Sequence, residues 1–168
     1  MTKTISIDPS GNHNSEKEGM GTTGVAIAVD GKVMELREIK ADNHDSTMEY
    51  WSEMYSLIEQ EHPDYVVIEG YKLYNHAGMS AQTQTNSTLM TSQLIGVLRM
   101  KCFHYEIPVK IQFASDVKTR WSDKILIHNG LLGEGSTFKG KRTNSHKRDA
   151  LRHLAHFYKY TLKEELSV

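Results

Sequence analysis

The 168-residue chain has one cysteine, Cys102, which excludes a disulfide within it and fits a reducing compartment. It has three prolines, and each falls at a boundary: Pro9 and Pro63 end regular elements, and Pro108 sits near the edge or start of another. No apolar run approaches the roughly 20 residues of a membrane span. No N-terminal apolar segment reads as a signal peptide, so an intracellular protein without membrane contact is expected. Asn86-Ser87-Thr88 matches the glycosylation pattern but carries no meaning without a secretion signal. Neither sign of charge dominates, and a net charge of −1 argues against a general nucleic-acid binder. The charge is unevenly spread, however. Residues 1–100 hold 7 Lys and Arg against 14 Asp and Glu, while residues 101–168 hold 13 against 7. An acidic centre beside a basic surface would have this form. With 38% hydrophobic and 24% charged residues, residues 1–168 are expected to form a single domain.

Thr4-Ile5-Ser6-Ile7-Asp8 alternates polar and apolar residues and then meets Pro9 and Gly11, which predicts a strand ending on a carboxylate. Thr22 to Val29 and Lys32 to Lys40 read as a hairpin around Asp30-Gly31. Asp42 to Glu61 predicts a helix capped by Asp45 or Ser46, with Met48, Trp51, Met54, Tyr55 and Ile58 as its core stripe. Tyr65-Val66-Val67-Ile68-Glu69-Gly70 is a buried strand that also ends on a carboxylate, next to the first. A long helix from Ser80 to Tyr105 is apolar nearly all round in its second half, which predicts deep burial or a homodimer interface around Leu89 to Phe103. A strand from Ile107 to Ile111, short helices within 114–132, a loop from Gly133 to Thr143 and a final helix from His146 to about Leu162 complete an α/β arrangement.

The final helix opens with His146 and Asp149, three residues apart and on one face. Two strand-end carboxylates and this pair can converge on one cleft. Oxygen donors with one imidazole suit Mg²⁺ or Mn²⁺ better than a closed zinc site. Two such ions about 4 Å apart would serve both the attacking water and the leaving oxygen of a phosphodiester.

Taken in order, Ile5-x-Ile7-Asp8-Pro9 with Thr23-Gly24, Val67-Ile68-Glu69, Gln93-x-x-Gly96-Val97, Glu106-x-Pro108-Val109 with Val117-Lys118, and His146-x-x-Asp149-Ala150-Leu151 resemble the RuvC-type Holliday-junction resolvases of the ribonuclease H-like superfamily. The resemblance spans most of the chain and extends to phage members. It implies a ribonuclease H-like fold with a five-stranded mixed sheet flanked by helices, a homodimer through the long helix, and metal-dependent cleavage of branched DNA in a bacterial cytoplasm or by a phage-encoded protein. It implies Asp8, Glu69 and Asp149 as metal ligands, His146 as a ligand or proton-transfer group, and Lys118 as a phosphate contact. The stretch from Pro9 to Thr22 is longer than the family's.

Lys139, Lys141, Arg142, Lys147 and Arg148 are read as phosphate contacts beside the acids. Tyr71, Lys72 and Tyr74 fall where family members carry an aromatic wedge; Tyr71, Tyr74 and His76 could stack on splayed bases or pack on the long helix. Gly135 to Lys141 has Walker A spacing, but Arg142 replaces the hydroxyl residue, so no nucleotide cofactor is expected. His153 and His156 are read as satisfied or surface histidines. A nuclease for RNA–DNA hybrids and a non-catalytic DNA-junction binding factor are the competing readings. The dimer signal counts against the first, and the set of acids, which repels phosphate without metal, counts against the second.

Overall fold

The structure, a computed structural model, describes residues 1–13, 20–72 and 81–168, with side chains from residue 90 onward in the last segment. Strand β1 (Lys3–Asp8) pairs antiparallel with β2 (Thr22–Val29), which pairs with β3 (Lys32–Lys40). Asp30 and Gly31, at φ 47° and 73°, make the two-residue turn between them. A 3-10 turn at Ala41–Asn43 leads to α1 (Thr47–Glu61). Helix α1 starts later than Asp42 because Ser46 caps it, its Oγ accepting from the Glu49 amide at 3.2 Å. His62 at φ 45°, followed by Pro63, ends it.

Strand β4 (Tyr65–Gly70), helix α2 (Ala81–His104) and strand β5 (Val109–Phe113) follow. β5 begins after Pro108, whose carbonyl accepts from Val66. Short helices α3 (Ala114–Val117) and α4 (Asp123–His128) precede a hairpin of β6 (Thr137–Phe138) and β7 (Lys141–Arg142) where a plain loop was expected. Lys139 and Gly140, at φ 47° and 77°, make its turn. Helix α5 (Ser145–Phe157) runs into a π-helical turn, Tyr158–Leu162. The sheet order is β3-β2-β1-β4-β5, with β1–β4 and β4–β5 parallel, a five-stranded mixed sheet as the resemblance implies.

Each face of the sheet has its own core. On one, Ile5, Ile7, Val66 and Ile68 pack against α1 and α2. Met48 and Tyr55 do not belong to this core; they are 60% and 37% exposed, because they lie on the flank of α1 and Tyr50 and Leu57 fill the buried arc instead. On α2, Leu94, Leu98 and Cys102 are fully buried, while Val97, Met100 and Phe103 are exposed. Burial pushes the Cys102 thiol up to about 11, so it stays an inert apolar group.

On the other face β1 and β2 offer only small residues beneath α5. Thr4 pairs with Ala28, Ser6 with Ala26, and Asp8 with Gly24. A Cβ on Gly24 would collide with the carbonyl of His146, so the first turn of α5 rests directly on the β2 backbone. Thr4 and Ser6 are fully buried there, and the Thr4 hydroxyl meets Tyr158 Oη at 3.3 Å. Asn144 caps α5, accepting from the Lys147 amide at 2.9 Å, and its Nδ2 donates to Glu38 on β3.

Candidate active site

Asp8 is the last residue of β1 and Glu69 lies near the end of β4. Ile7 pairs with Ile68 in parallel register, so the two acids are neighbours at the C-terminal ends of adjacent strands. Strand alternation puts Asp8 with Ser6 and Glu69 with Val67, on the α5 face. Asp149 of α5 completes the group. Asp8, Glu69 and Asp149 each offer an oxygen, and these atoms lie within 4.8 Å of one another.

The backbone beyond Asp8 is fastened from three elements. Tyr50 Oη donates to the Ser10 carbonyl at 2.8 Å, and Trp51 Nε1 donates to that of Gly11 at 3.0 Å. The Ser10 amide donates to Thr23 Oγ1 at 3.1 Å, and the Gly11 amide to Thr91 Oγ1 at 3.0 Å. Burial pushes the Tyr50 hydroxyl up to about 12, which keeps it a donor. Fixing the backbone just after Asp8 in this way suits a group that must hold one position.

Among the basic residues, Lys118 Nζ stands 2.9 Å from Asp149 Oδ2 and 3.7 Å from Glu69 Oε1. His146 Nδ1 stands 3.5 Å from Asp8 Oδ2. Burial pushes Asp8 up from an ordinary 3.8 to about 6. The His146 bond and Lys118 pull it down, while Glu69 and Asp149 push it further up. The bond to Asp8 raises His146 in turn. Burial pulls Lys118 down, but its bond to Asp149 and the attraction of all three acids outweigh this and hold it above its ordinary value. Three carboxylates gathered at one point, with an ammonium drawn between two of them, fit a hard divalent cation as Asp8, Glu69 and Asp149 could hold it.

The proton on Asp8 has a consequence for stability. Its folded value lies above its unfolded one, so the folded state binds the proton more tightly. Stability from this group is complete below about pH 4 and is lost as the pH rises through about 6. In EDTA, Asp8→Asn should therefore stabilise the protein at pH 8, by on the order of 1–3 kcal/mol, and much less at pH 4. Thermal melts of both proteins across that range check this; equal gains at both pH values would contradict it.

Two partners of the acids were not foreseen from sequence. Arg152 donates through Nη1 to Asp149 and through Nη2 to Asp123, and its Nε donates to the Trp121 carbonyl at 2.8 Å. His153, read only as a satisfied or surface residue, is fully buried and meets Glu69 Oε2 at 2.8 Å. Its place four residues after Asp149, on the same stripe of α5, is the signal that could have found it. His156 instead stacks on Tyr160, with ring centroids 4.6 Å apart.

The remaining sequence candidates divide. Lys139, Lys141, Arg142 and Lys147 line a cleft of about 230 Å³ between the β6–β7 hairpin and β3, where Lys139 Nζ donates to the Met34 carbonyl at 2.8 Å. Arg148 is engaged internally, with its Nε 3.1 Å from Asp123 Oδ2 and its Nη1 donating to the Thr143 carbonyl. Tyr71 is exposed, and Lys72 Nζ lies 4.1 Å above the centre of the Phe113 ring. Tyr74 and His76 lie outside the described residues.

No protein-family model and no curated protein matches the sequence. Solved structures do match in shape. Thermus thermophilus RuvC in complex with a Holliday junction substrate superposes with a TM-score of 0.64 at 15% identity, covering 95% of each chain. A second Thermus thermophilus RuvC structure gives 0.58 at 17% identity over 94% of this chain and 95% of that one. The chain has the RuvC fold. In that fold, Asp8 and Glu69 close two neighbouring central strands, and Asp149 faces them from the last helix.

Proposed function

We propose that the protein is a metal-dependent endonuclease that cuts branched DNA, Holliday junctions and related forks. The observation that carries this reading is the convergence of the Asp8, Glu69 and Asp149 oxygens within 4.8 Å at the strand ends of a RuvC fold. Asp8, Glu69 and Asp149, with His146 beside them, would hold two Mg²⁺ or Mn²⁺ ions. When bound, such ions supply a water activated at neutral pH and positive charge against the leaving oxygen.

The chain's own residues then have distinct tasks. The acids fix where the scissile phosphate sits. Lys118, 40% exposed, is free to leave Asp149 and meet a phosphate oxygen. His146, beside Asp8 at 3.5 Å, can hold or release a proton at Nδ1. Lys139, Lys141, Arg142 and Lys147 would follow the phosphate backbone away from the cut. Arg148, bound to Asp123, would act by bracing α5, and Tyr71 is available for stacking on a base.

A homodimer through α2 belongs to the same reading, because two incisions in a four-way junction need two sites. Val97, Met100 and Phe103 are exposed on one side of α2, Phe103 to 75%. The double change of Met100 and Phe103 to Glu should turn a two-chain particle into a single chain with its fold intact, as read by light scattering and circular dichroism. A parent protein that is already monomeric at micromolar concentration would remove the dimer from the proposal.

The test of the activity is incubation with four-way, forked and linear DNA, in Mg²⁺ and again in EDTA. Paired cuts in the four-way substrate, absent with EDTA, are expected. Binding to junctions without any cleavage in Mg²⁺ or Mn²⁺ would favour a junction-binding factor instead.

A further inference from the structure

We propose that His153, held from behind by Gln112, is the positioning residue for Glu69, fixing which carboxylate oxygen is turned toward the metal. The inference rests on the metal-dependent reading of the site. His153 is fully buried in the middle of α5. Its Nε2 lies 2.8 Å from Glu69 Oε2, and its Nδ1 lies 3.0 Å from Oε1 of Gln112 on β5. A carboxylate that serves a metal only accepts, so Nε2–H is the donor.

Gln112 is itself buried, and its Nε2 has no hydrogen bond among the described residues. With the amide turned so that Nε2 faces Nδ1, that nitrogen is used, and the ring is held between Gln112 and Glu69. The chain of contacts thus runs from an edge strand through α5 to a central strand. Its effect on Glu69 is directional. Oε2 is taken by His153, which leaves Oε1 facing Lys118 Nζ, the ammonium that also meets Asp149.

Asp149 is held in a parallel way, with Oδ1 taken by Arg152 and Oδ2 turned to Lys118. A carboxylate gripped on one oxygen loses little freedom when the other binds an ion, and loss of such support weakens metal binding by about 10- to 100-fold.

Two amide variants separate position from mere filling. Glutamine reaches as far as the imidazole Nε2 and can still donate to Glu69. Asparagine reaches only as far as Nδ1 and can meet Gln112 alone. We would measure Mn²⁺ binding to the full chain by electron paramagnetic resonance, with melting in EDTA alongside.

His153→Gln should bind Mn²⁺ within a few-fold of the parent. His153→Asn should bind about 10- to 100-fold more weakly at a similar melting temperature. Gln112→Leu, which leaves His153 and Glu69 in place, should fall between, and it carries the test if both His153 variants fail to fold. Unchanged Mn²⁺ affinity in His153→Asn, or in Gln112→Leu where it alone folds, overturns the inference. So does an equal loss in both amide variants that follows their melting temperatures. A parent that binds no Mn²⁺ removes the functional reading and the inference together.

Discussion

Asp8→Asn, Glu69→Gln and Asp149→Asn should each lower branched-DNA cleavage by about 10³-fold, while DNA binding without metal holds or tightens. The reason is electrostatic. The three acids stand close enough for their oxygens to share an ion, and Asp8, pushed up to about 6 chiefly by burial, is pushed further in that direction by Glu69 and Asp149. A phosphate brought to that cleft meets the same repulsion until divalent cations enter. Each substitution removes one proposed ligand and one carboxylate with almost no change of shape. Metal affinity should drop, and the metal-free protein should accept DNA more readily. Cleavage of a four-way junction across Mg²⁺ and Mn²⁺ concentrations, with binding measured in EDTA, reads both effects. Near-normal cleavage by Asp8→Asn or Glu69→Gln would defeat the two-metal reading. Loss of binding in step with cleavage would instead point to a damaged fold.

Gly24→Ala should be costly although the residue touches no substrate. Its missing side chain is what lets the His146 carbonyl lie on β2, directly opposite Asp8 in the register. An added Cβ must push the first turn of α5 outward. That turn is fastened by Asn144 to Glu38, so the displacement cannot be absorbed by simple fraying. Overpacking of this kind costs about 1–3 kcal/mol, which for a chain of this size lowers the melting temperature by roughly 2–12 °C. Moving α5 also moves His146 and Asp149 away from Asp8, and a misplacement of about 1 Å can cost on the order of 10²-fold in rate. Melting temperature and cleavage rate of Gly24→Ala, measured together, check this. Parent-like values in both would show that α5 has room to give.

The strands and the acids at their ends were legible in the sequence because a period of two, a two-residue turn and a proline are local signals. Asp8, Glu69 and Asp149 stood at strand ends and at a helix start, and those positions follow from the same local patterns. The supporting groups were not legible. His153, Gln112 and Arg152 look like ordinary polar residues until the fold brings β5, α4 and α5 together. The cap of α5 had no such signal read for it, and it is the Lys147 amide donating to Asn144 Oδ1 that identifies Asn144. Met48 and Tyr55 fit a helical stripe by spacing, yet the arc that α1 buries is set by where the sheet lies.

The parallel pairing of β1 with β4 also has a consequence for the order of events when the chain is made. Asp8, Glu69 and Asp149 come from elements separated by some 60 and 80 positions, and no pair of them lies within one hairpin. Parallel pairing demands closure of a long segment, and such long-range contacts form late. The hairpin of β2 and β3 can form as soon as it leaves the ribosome, but α5 is synthesised after every strand of the five-stranded sheet. A nascent chain therefore carries its acids apart until α5 has been made. The three acids meet only when α5 settles on the finished sheet, so on the proposed reading cleavage competence would report that this docking has taken place.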